Sequence, residues 1–271
     1  MGSKKERMIY PYNIAESDRP RFWKAFHRQR LRYVPTVKRI VSRTMRKQMR
    51  AVAEVIEKAQ TPEEAKVAAL KEVEKRESMI KAMLLSSYLI VSIPFASNSF
   101  DSIGKSEKAG KPLRDEWARR VRRHLENRGA EKVVQITETT KKTIAKIIDE
   151  EIQEGHGIRE IARAIDRGVM LGEIIPNRSL VIARTETISA SNLGSLMGAE
   201  STGLDLLKEW IATRDERTRE DHMAADGQRV DLHAEFNIGG ESLEFPGDPK
   251  GSAEQVIQCR CTQGYVPKDE A

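Results

Sequence analysis

The stretch RSLVIARTETISASNLGSLMGAE, residues 178–200, followed after a break by GLDLLKEWIA, residues 203–212, decides the fold. Ala183, Ser189, Ala190, Ser191, Gly194, Ser195 and Gly198 make the first part unusually rich in small side chains. Small side chains let backbones approach closely, so the reading predicts a helix over about 178–200 that packs tightly. Gly203 ends it, and Leu207 to Ala212 reads as a strand. Beyond it, Asp215 to Met223 predicts one or two helical turns and Asp226-Gly227 a turn. His233 to Ile238 and Glu241 to Phe245 read as short strands around Gly239-Gly240. Val256 to Val266 reads as a final strand or hairpin.

Upstream of this stretch the pattern is helical. Val37, Ile40, Val41, Met45, Met49, Val52 and Ile56 recur at steps of three and four, within a helical region from Arg21 to Lys58 broken near Pro35. Thr61-Pro62-Glu63-Glu64 combines a capping hydroxyl, a proline suited to the first turn and acids that complement the helix dipole. That helix is expected to run to Ile93 and stop at Pro94, with a loop from Ser97 to Lys111. A further helical region spans Pro112 to Glu154, Gly155-His156-Gly157 breaks it, and a short amphipathic helix follows to Gly168. The fold class is therefore α+β. A basic, mainly helical N-terminal region, residues 1–154, precedes a small α+β domain with short antiparallel strands, residues 155–271.

Composition narrows the function. Hydrophobic residues are 39% and charged residues 32%, a balance that excludes a membrane-embedded protein. The most apolar run, Leu84 to Ala96, is shorter than the ~20 residues needed to span a bilayer, so a core or interface helix and no membrane partner are expected. Glu6, Arg7 and Tyr10-Pro11 stand where the apolar core of a leader would be, so cytosolic synthesis is expected. Two cysteines, Cys259 and Cys261, give no disulfide framework and suit a reducing compartment. Residues 1–50 carry 15 Lys and Arg against 3 Asp and Glu, whereas residues 201–271 carry 8 against 15, so the two ends are expected to meet different partners. Within the basic end, Arg28, Arg30, Arg32, Lys38, Arg39, Arg43, Arg46, Lys47 and Arg50 run beside Phe22, Trp23, Phe26 and Tyr33. Such a stretch attracts polyanions by counterion release, or an acidic protein surface.

Ala183-Arg184-Thr185-Glu186, Lys208-Glu209-Trp210-Ile211-Ala212, Asp215 through His222, Asp226-Gly227-Gln228, Phe236, Phe245-Pro246-Gly247-Asp248-Pro249 and Cys259-Arg260-Cys261-Thr262 follow in that order. Together they resemble the phage head morphogenesis family, the Mu F-like minor head proteins of tailed bacteriophages, over roughly residues 150–266. The resemblance implies a minor head (capsid) protein that assists head assembly and DNA packaging or delivery. It implies portal protein and other head proteins as partners, with DNA plausible. It places the chain in the host cytoplasm during assembly and then in the virion head, and it implies no settled enzymatic activity and no small-molecule substrate.

Three constellations carry chemistry. His222, Cys259 and Cys261 are zinc-type ligands; in a strand the two thiols share a face, and Asp215 could be the fourth ligand, with His233 and Asp226 as alternatives. A structural zinc is expected there before a catalytic one; two buried cysteines and a turn-capping histidine are the competing reading. Arg184 and Glu186 are read as a structural ion pair locking the helix onto the sheet, over the alternative of an anion site. Asp215, Glu220, Asp221, His222 and His233 could with a metal serve a hydrolase or nuclease of head maturation. No His-Glu-x-x-His, Gly-x-Ser-x-Gly or P-loop motif supports that, so no catalytic residue and no enzyme is expected.

Overall fold

The structure, a computed structural model, describes residues 14–104, 111–170 and 175–268. Its helices are α1 (Arg19–Ile56), α2 (Pro62–Lys75), α3 (Glu77–Ile103), α4 (Lys111–Gln153), α5 (Ile158–Met170) and α6 (Ile175–Glu200). After them come β1 (Leu206–Ile211), α7 (Glu220–Ala224), β2 (Arg229–Asp231), β3 (Phe236–Ile238), β4 (Glu241–Leu243), α8 (Ala253–Val256) and β5 (Thr262–Pro267). The architecture is the expected α+β one: long helices first, short antiparallel strands after. The strands form a three-stranded sheet of order β2-β1-β5 and a hairpin, β3-β4. The hairpin turns through Gly239 and Gly240, both in the left-handed region that glycine enters without strain. Strand β2, three residues long, was not foreseen; it follows the anticipated Asp226-Gly227 turn and pairs Val230 with Lys208.

Three helix boundaries differ from expectation. Pro35 and Pro94 lie inside α1 and α3 rather than ending them. A proline removes the hydrogen bond to the carbonyl four residues earlier. Here those carbonyls belong to Leu31 and Ile90, which are exposed (49% and 39%), so water can take them. The buried face of each helix continues past its proline, as Val37 and Val41 do in α1 and Phe95 and Ala96 in α3. The third difference is a break at Arg76, which separates α2 from α3. Because α3 runs on, Pro62–Ile103 contains a stretch long and apolar enough to cross a membrane by length and composition, and half of it is buried within the protein.

The described residues gather into two compact units. One draws on the chain up to Pro35, on Ser87–His124 and on the chain from Arg184; the other on Thr36–Ser86 and Leu125–Ala183. The second unit holds positions 154 and 155. In it, Ala65, Ala69 and Val73 line the buried side of α2, while Lys66 bonds Asp149 at 2.6 Å and Lys141 bonds Glu74 at 2.6 Å. Thr61 caps α2 by accepting from the Glu64 N–H at 3.1 Å, as its sequence predicts.

In the first unit α6 lies against α3. A Cβ on Gly194 would fall on the Ser92 backbone, and one on Gly198 on that of Ala96. The Ser92 hydroxyl donates to the Ala190 carbonyl at 2.9 Å, and the Ser99 and Ser195 hydroxyls bond at 2.8 Å. The small residues of α6 are thus where the backbones approach, and their hydroxyls bond across the gap. Gly194→Ala is expected to force the helices apart and to destabilise by about 1–3 kcal/mol. Gly129→Ala, at an interior position of α4 with only the Leu125 side chain in ordinary contact, is expected to stabilise by up to ~1 kcal/mol. Urea denaturation of both variants checks the pair, and equal effects would remove close backbone approach as the reason for the small residues.

Candidate metal centre

His222 sits in α7, a helix of five residues, and is 1% exposed. Cys259 and Cys261 lie in the irregular segment between α8 and β5, each 2% exposed. Both thiols reach His222, whereas the Arg260 side chain between them reaches Asp215. The His222 imidazole and the two sulfurs lie within 4.8 Å of one another. His222 Nδ1 is 3.3 Å from Cys261 Sγ and 3.7 Å from Cys259 Sγ. The Trp210 ring meets the imidazole edge-on at 5.5 Å and Phe236 at 5.3 Å, so the group stands in an apolar cluster with Ile238 and Leu243.

A relay fixes which imidazole nitrogen faces the sulfurs. Gln255 Nε2 donates to Asp221 Oδ2 at 3.0 Å, and a carboxylate only accepts, so the amide orientation is set. The Gln255 Oε1 then faces His222 Nε2 at 2.9 Å, and that nitrogen must carry the proton. In the neutral imidazole, Nδ1 then turns its lone pair toward the thiols. Orientation of the far nitrogen by a hydrogen-bond acceptor is the arrangement typical of metal-binding histidines. Burial pushes His222 down, but the Cys259 sulfur and the Gln255 carbonyl outweigh it and raise its pKa above the ordinary value. Cys259 is held well below the usual thiol value by the Cys261 hydrogen bond, against burial and together with His222. Burial pushes Cys261 well above it. The pair therefore shares its protons unequally.

Behind the cysteines lies Arg30, 1% exposed. This corrects its expected place among the polyanion-binding residues, because a buried guanidinium cannot reach one. Its Nε donates to Ser191 Oγ at 2.7 Å and its Nη2 to Asn192 Oδ1 at 2.5 Å. Its Nη1 donates to the carbonyls of Arg260 and Cys261 at 3.2 and 3.1 Å, and the guanidinium lies 4.4 Å over the Phe26 ring. Burial lowers its pKa to about 9, opposed by the charge of Cys259 and Cys261. Asn192 completes the node: its Nδ2 donates to the carbonyls of Pro246 and Cys261 at 2.7 and 3.2 Å, and its Oδ1 also accepts from Thr262 at 3.1 Å. Gln263 Nε2 donates to the Asn192 carbonyl at 3.1 Å.

The other expected residues divide. Asp215 is exposed and paired with Arg260, one oxygen lying 2.6 Å from its guanidinium, so it stands apart from the cysteines. His233 is exposed beside Glu200 at 3.3 Å. Asp226 accepts from the Ala212 N–H at 2.8 Å and pairs with Arg214. Glu186 is buried and accepts from the Tyr88 hydroxyl at 3.0 Å, while Arg184 is exposed two positions away on another side of α6. Arg28, Arg32, Arg39, Arg43, Arg46, Lys47 and Arg50 are exposed, and Lys38 is half-buried. Asn192, Gln255 and Ser191 were not foreseen; polar residues embedded in the small-residue helix were the available signal for two of them.

Asn192→Ala removes partners from two buried carbonyls and from Arg30 at once. It is expected to cost about 3 kcal/mol or more in urea denaturation, since each buried group left unpaired costs about 1–3 kcal/mol. A cost below about 1 kcal/mol would show that the node is not structural.

Residues 142–264 match the family described as Phage Mu protein F like protein. An NAD(+)--arginine ADP-ribosyltransferase EFV of Enterococcus faecalis (strain ATCC 700802 / V583) is 37% identical over 112 residues, 40% of this chain and 22% of that protein. Minor head protein GP7 of Bacillus phage SPP1 is 28% identical over 126 residues, 45% of this chain and 40% of that protein. An uncharacterized protein YqbB of Bacillus subtilis (strain 168) is 24% identical over 131 residues, 47% of this chain and 42% of that protein. The chain spans less than half the length of each of these relatives. No solved structure matches the chain. Residues 142–264, just under half of the chain, hold His222, both cysteines and all of α6, so the similarity to the Phage Mu protein F like family includes the candidate metal centre.

Proposed function

We propose that this protein is a minor component of a phage head, assisting head assembly and DNA packaging or delivery by binding the portal, DNA or both. The observation that carries this reading is the family match over residues 142–264 together with the similarity to a minor head protein of a Bacillus phage. The protein would be made in the host cytoplasm and retained in the virion head, in a non-enzymatic role. The ADP-ribosyltransferase activity named for the Enterococcus relative belongs to a protein of which the match covers 22%.

The surface offered to partners is the basic side of α1. Arg39, Arg43, Arg46 and Arg50 recur at steps of four, three and four, which keeps them on one exposed side of the helix. Arginine binds phosphate in bidentate fashion, and it serves acidic protein surfaces equally well. Arg30 takes no part in this surface.

A structural zinc suits His222, Cys259 and Cys261. Typical Zn–N and Zn–S bonds in a tetrahedron put the nitrogen about 3.6 Å from each sulfur, and the observed separations are 3.3 and 3.7 Å. The ion would supply a cross-link between α7 and the strand-leading segment, the kind of staple a small domain of short strands benefits from. The alternative, a metal-dependent hydrolase or nuclease of head maturation, needs a metal open to substrate, and these three residues are at most 2% exposed.

Three experiments test these readings. A tagged chain expressed during phage growth should co-sediment with heads or with the portal, and recovery only as free protein would sink the assembly role. The purified chain should also bind duplex DNA with a salt dependence that falls by about 3–4 in log–log slope when Arg39, Arg43, Arg46 and Arg50 become Gln; an unchanged slope would assign the arginines to a protein partner. Elemental analysis should find about one zinc per chain, lost in Cys259→Ser/Cys261→Ser along with a large drop in Tm. Metal-free protein with an unchanged Tm in chelator would return the cysteines to plain core packing.

A further inference from the structure

Arg260 faces away from the cysteines, and a cavity of about 340 Å³ opens on that side. It is built by two helix faces and two loops. From α1 come His27, Arg30, Leu31 and Val34, at spacings of three, one and three that keep them on one side. From α6 come Arg184, Thr187 and Ile188, again at helical spacing. Arg217 and Arg219 reach in from the segment before α7, and Gln258 and Arg260 from the segment before β5. All belong to the same compact unit.

Two properties of the lining define a ligand. The first is charge. Five arginines line the cavity and no Asp or Glu does; the Arg30 guanidinium is committed to the buried node, which leaves Arg184, Arg217, Arg219 and Arg260 to offer charge. Asp215 holds Arg260 from outside it, and Arg219 donates to the Ile257 carbonyl at 2.7 Å. Burial, then Arg30, Arg260 and Arg184, lower the His27 pKa to about 4, so the same cations already act on a neighbouring group. Concentrating like charge in a concave site favours an anion that bridges the cations. The second property is an apolar side. Leu31 is 49% exposed at the rim, and Ile188 and Val34 continue it. A bare inorganic anion would leave that surface unused, whereas a planar heterocycle would cover it and stack on guanidinium planes. The volume lies in the range of small-ligand pockets and is too small for a duplex. One backbone feature agrees: Gln258 sits at φ +56°, the left-handed region that a non-glycine residue rarely occupies, held there by its N–H to Thr185 Oγ1 at 3.1 Å.

We propose that this arginine-lined cavity binds a single nucleotide unit, its phosphate on the guanidinium groups of Arg184, Arg219 and Arg260 and its base against Leu31 and Ile188. The unit is either a free nucleotide or the terminal residue of a single strand. The site is separate from the basic side of α1 and does not depend on a head role.

Calorimetric titration of the full chain with inorganic phosphate, a deoxynucleoside 5′-monophosphate and a short 5′-phosphorylated single strand tests it. The nucleotide should bind more tightly than phosphate. Arg184→Gln, on an exposed side chain, and Arg219→Gln should each weaken it about tenfold or more without lowering Tm. Leu31→Ser should weaken the nucleotide and leave phosphate unchanged. Arg43→Gln/Arg46→Gln, on the side of α1 proposed above for DNA and outside the cavity, should leave phosphate and the mononucleotide unchanged, and the oligonucleotide is compared with the mononucleotide in that background. Tighter binding of the oligonucleotide than of the mononucleotide assigns a strand end, and equal binding assigns the free nucleotide. The proposal is overturned if nucleotide and phosphate bind equally, if neither binds, or if mononucleotide binding falls as much in Arg43→Gln/Arg46→Gln as in Arg184→Gln.

Discussion

A buried guanidinium without a carboxylate partner is the constraint around which the first unit is arranged. Taking Arg30 out of water is costly, and a charge so buried persists only if every donor is satisfied. Its donors go to Ser191, Asn192 and the carbonyls of Arg260 and Cys261. Those groups come from α6 and from the chain leading into β5, so satisfying one side chain of α1 fixes three segments together. Asn192 extends the same logic by donating to the Pro246 carbonyl, which brings in the Pro246-Gly247-Asp248-Pro249 loop. Gly247, at φ +85°, lets that loop pass against the Ser189 backbone. The small residues of α6 thus serve two ends: on one side they admit α3, and on another they leave room for a polar node.

The sheet shows the same preference for buried charge held by main chain. Lys208, on the central strand β1, is fully buried, donates to the Glu244 carbonyl at 2.6 Å and lies 5.2 Å over the Phe236 ring. Burial lowers its pKa to about 8, against the pull of nearby acids led by Glu244. On the same strand Glu209 is 3% exposed and bonds both Arg19 at 2.5 Å and Arg229 at 2.8 Å. Such groups contribute little net stability but penalise any register that leaves them unpaired. In a sheet whose edge strand β2 has three residues, that penalty favours a single register.

How far the sequence revealed this can be judged residue by residue. Helix α6 and strand β1 were legible because small-residue content and strand composition are local properties. The meeting of His222 with Cys259 and Cys261 was legible because zinc-type ligands are few in this chain. Pro35 and Pro94 misled, since whether a proline ends a helix depends on whether the orphan carbonyl faces water, which is a tertiary fact. Arg30 misled for a like reason: nothing local separates it from Arg28 and Arg32, and only the chain more than 150 positions away buries it. Asp215 was drawn to the metal set by helical spacing, yet the structure commits it to Arg260. The arginine cavity had no signature at all, because its lining residues are spread from His27 to Arg260.

The three residues Cys259-Arg260-Cys261 join the two sites of the first unit. The thiols point toward His222 and the guanidinium toward the cavity and Asp215, while the carbonyls of Arg260 and Cys261 accept from Arg30. The segment is anchored on each side chain and on its backbone, and Trp23 Nε1 adds a further hydrogen bond to the Arg260 carbonyl at 2.9 Å. A displacement of either thiol must therefore move the Arg260 carbonyl, and with it two donors from α1. The metal-type cluster and the arginine-lined cavity are consequently two faces of one rigid segment, and whatever tightens the cluster also sets the position of Arg260 in the cavity. That coupling needs no conformational switch: it follows from three adjacent residues serving both sites and from a buried arginine whose hydrogen bonds cannot be given up cheaply.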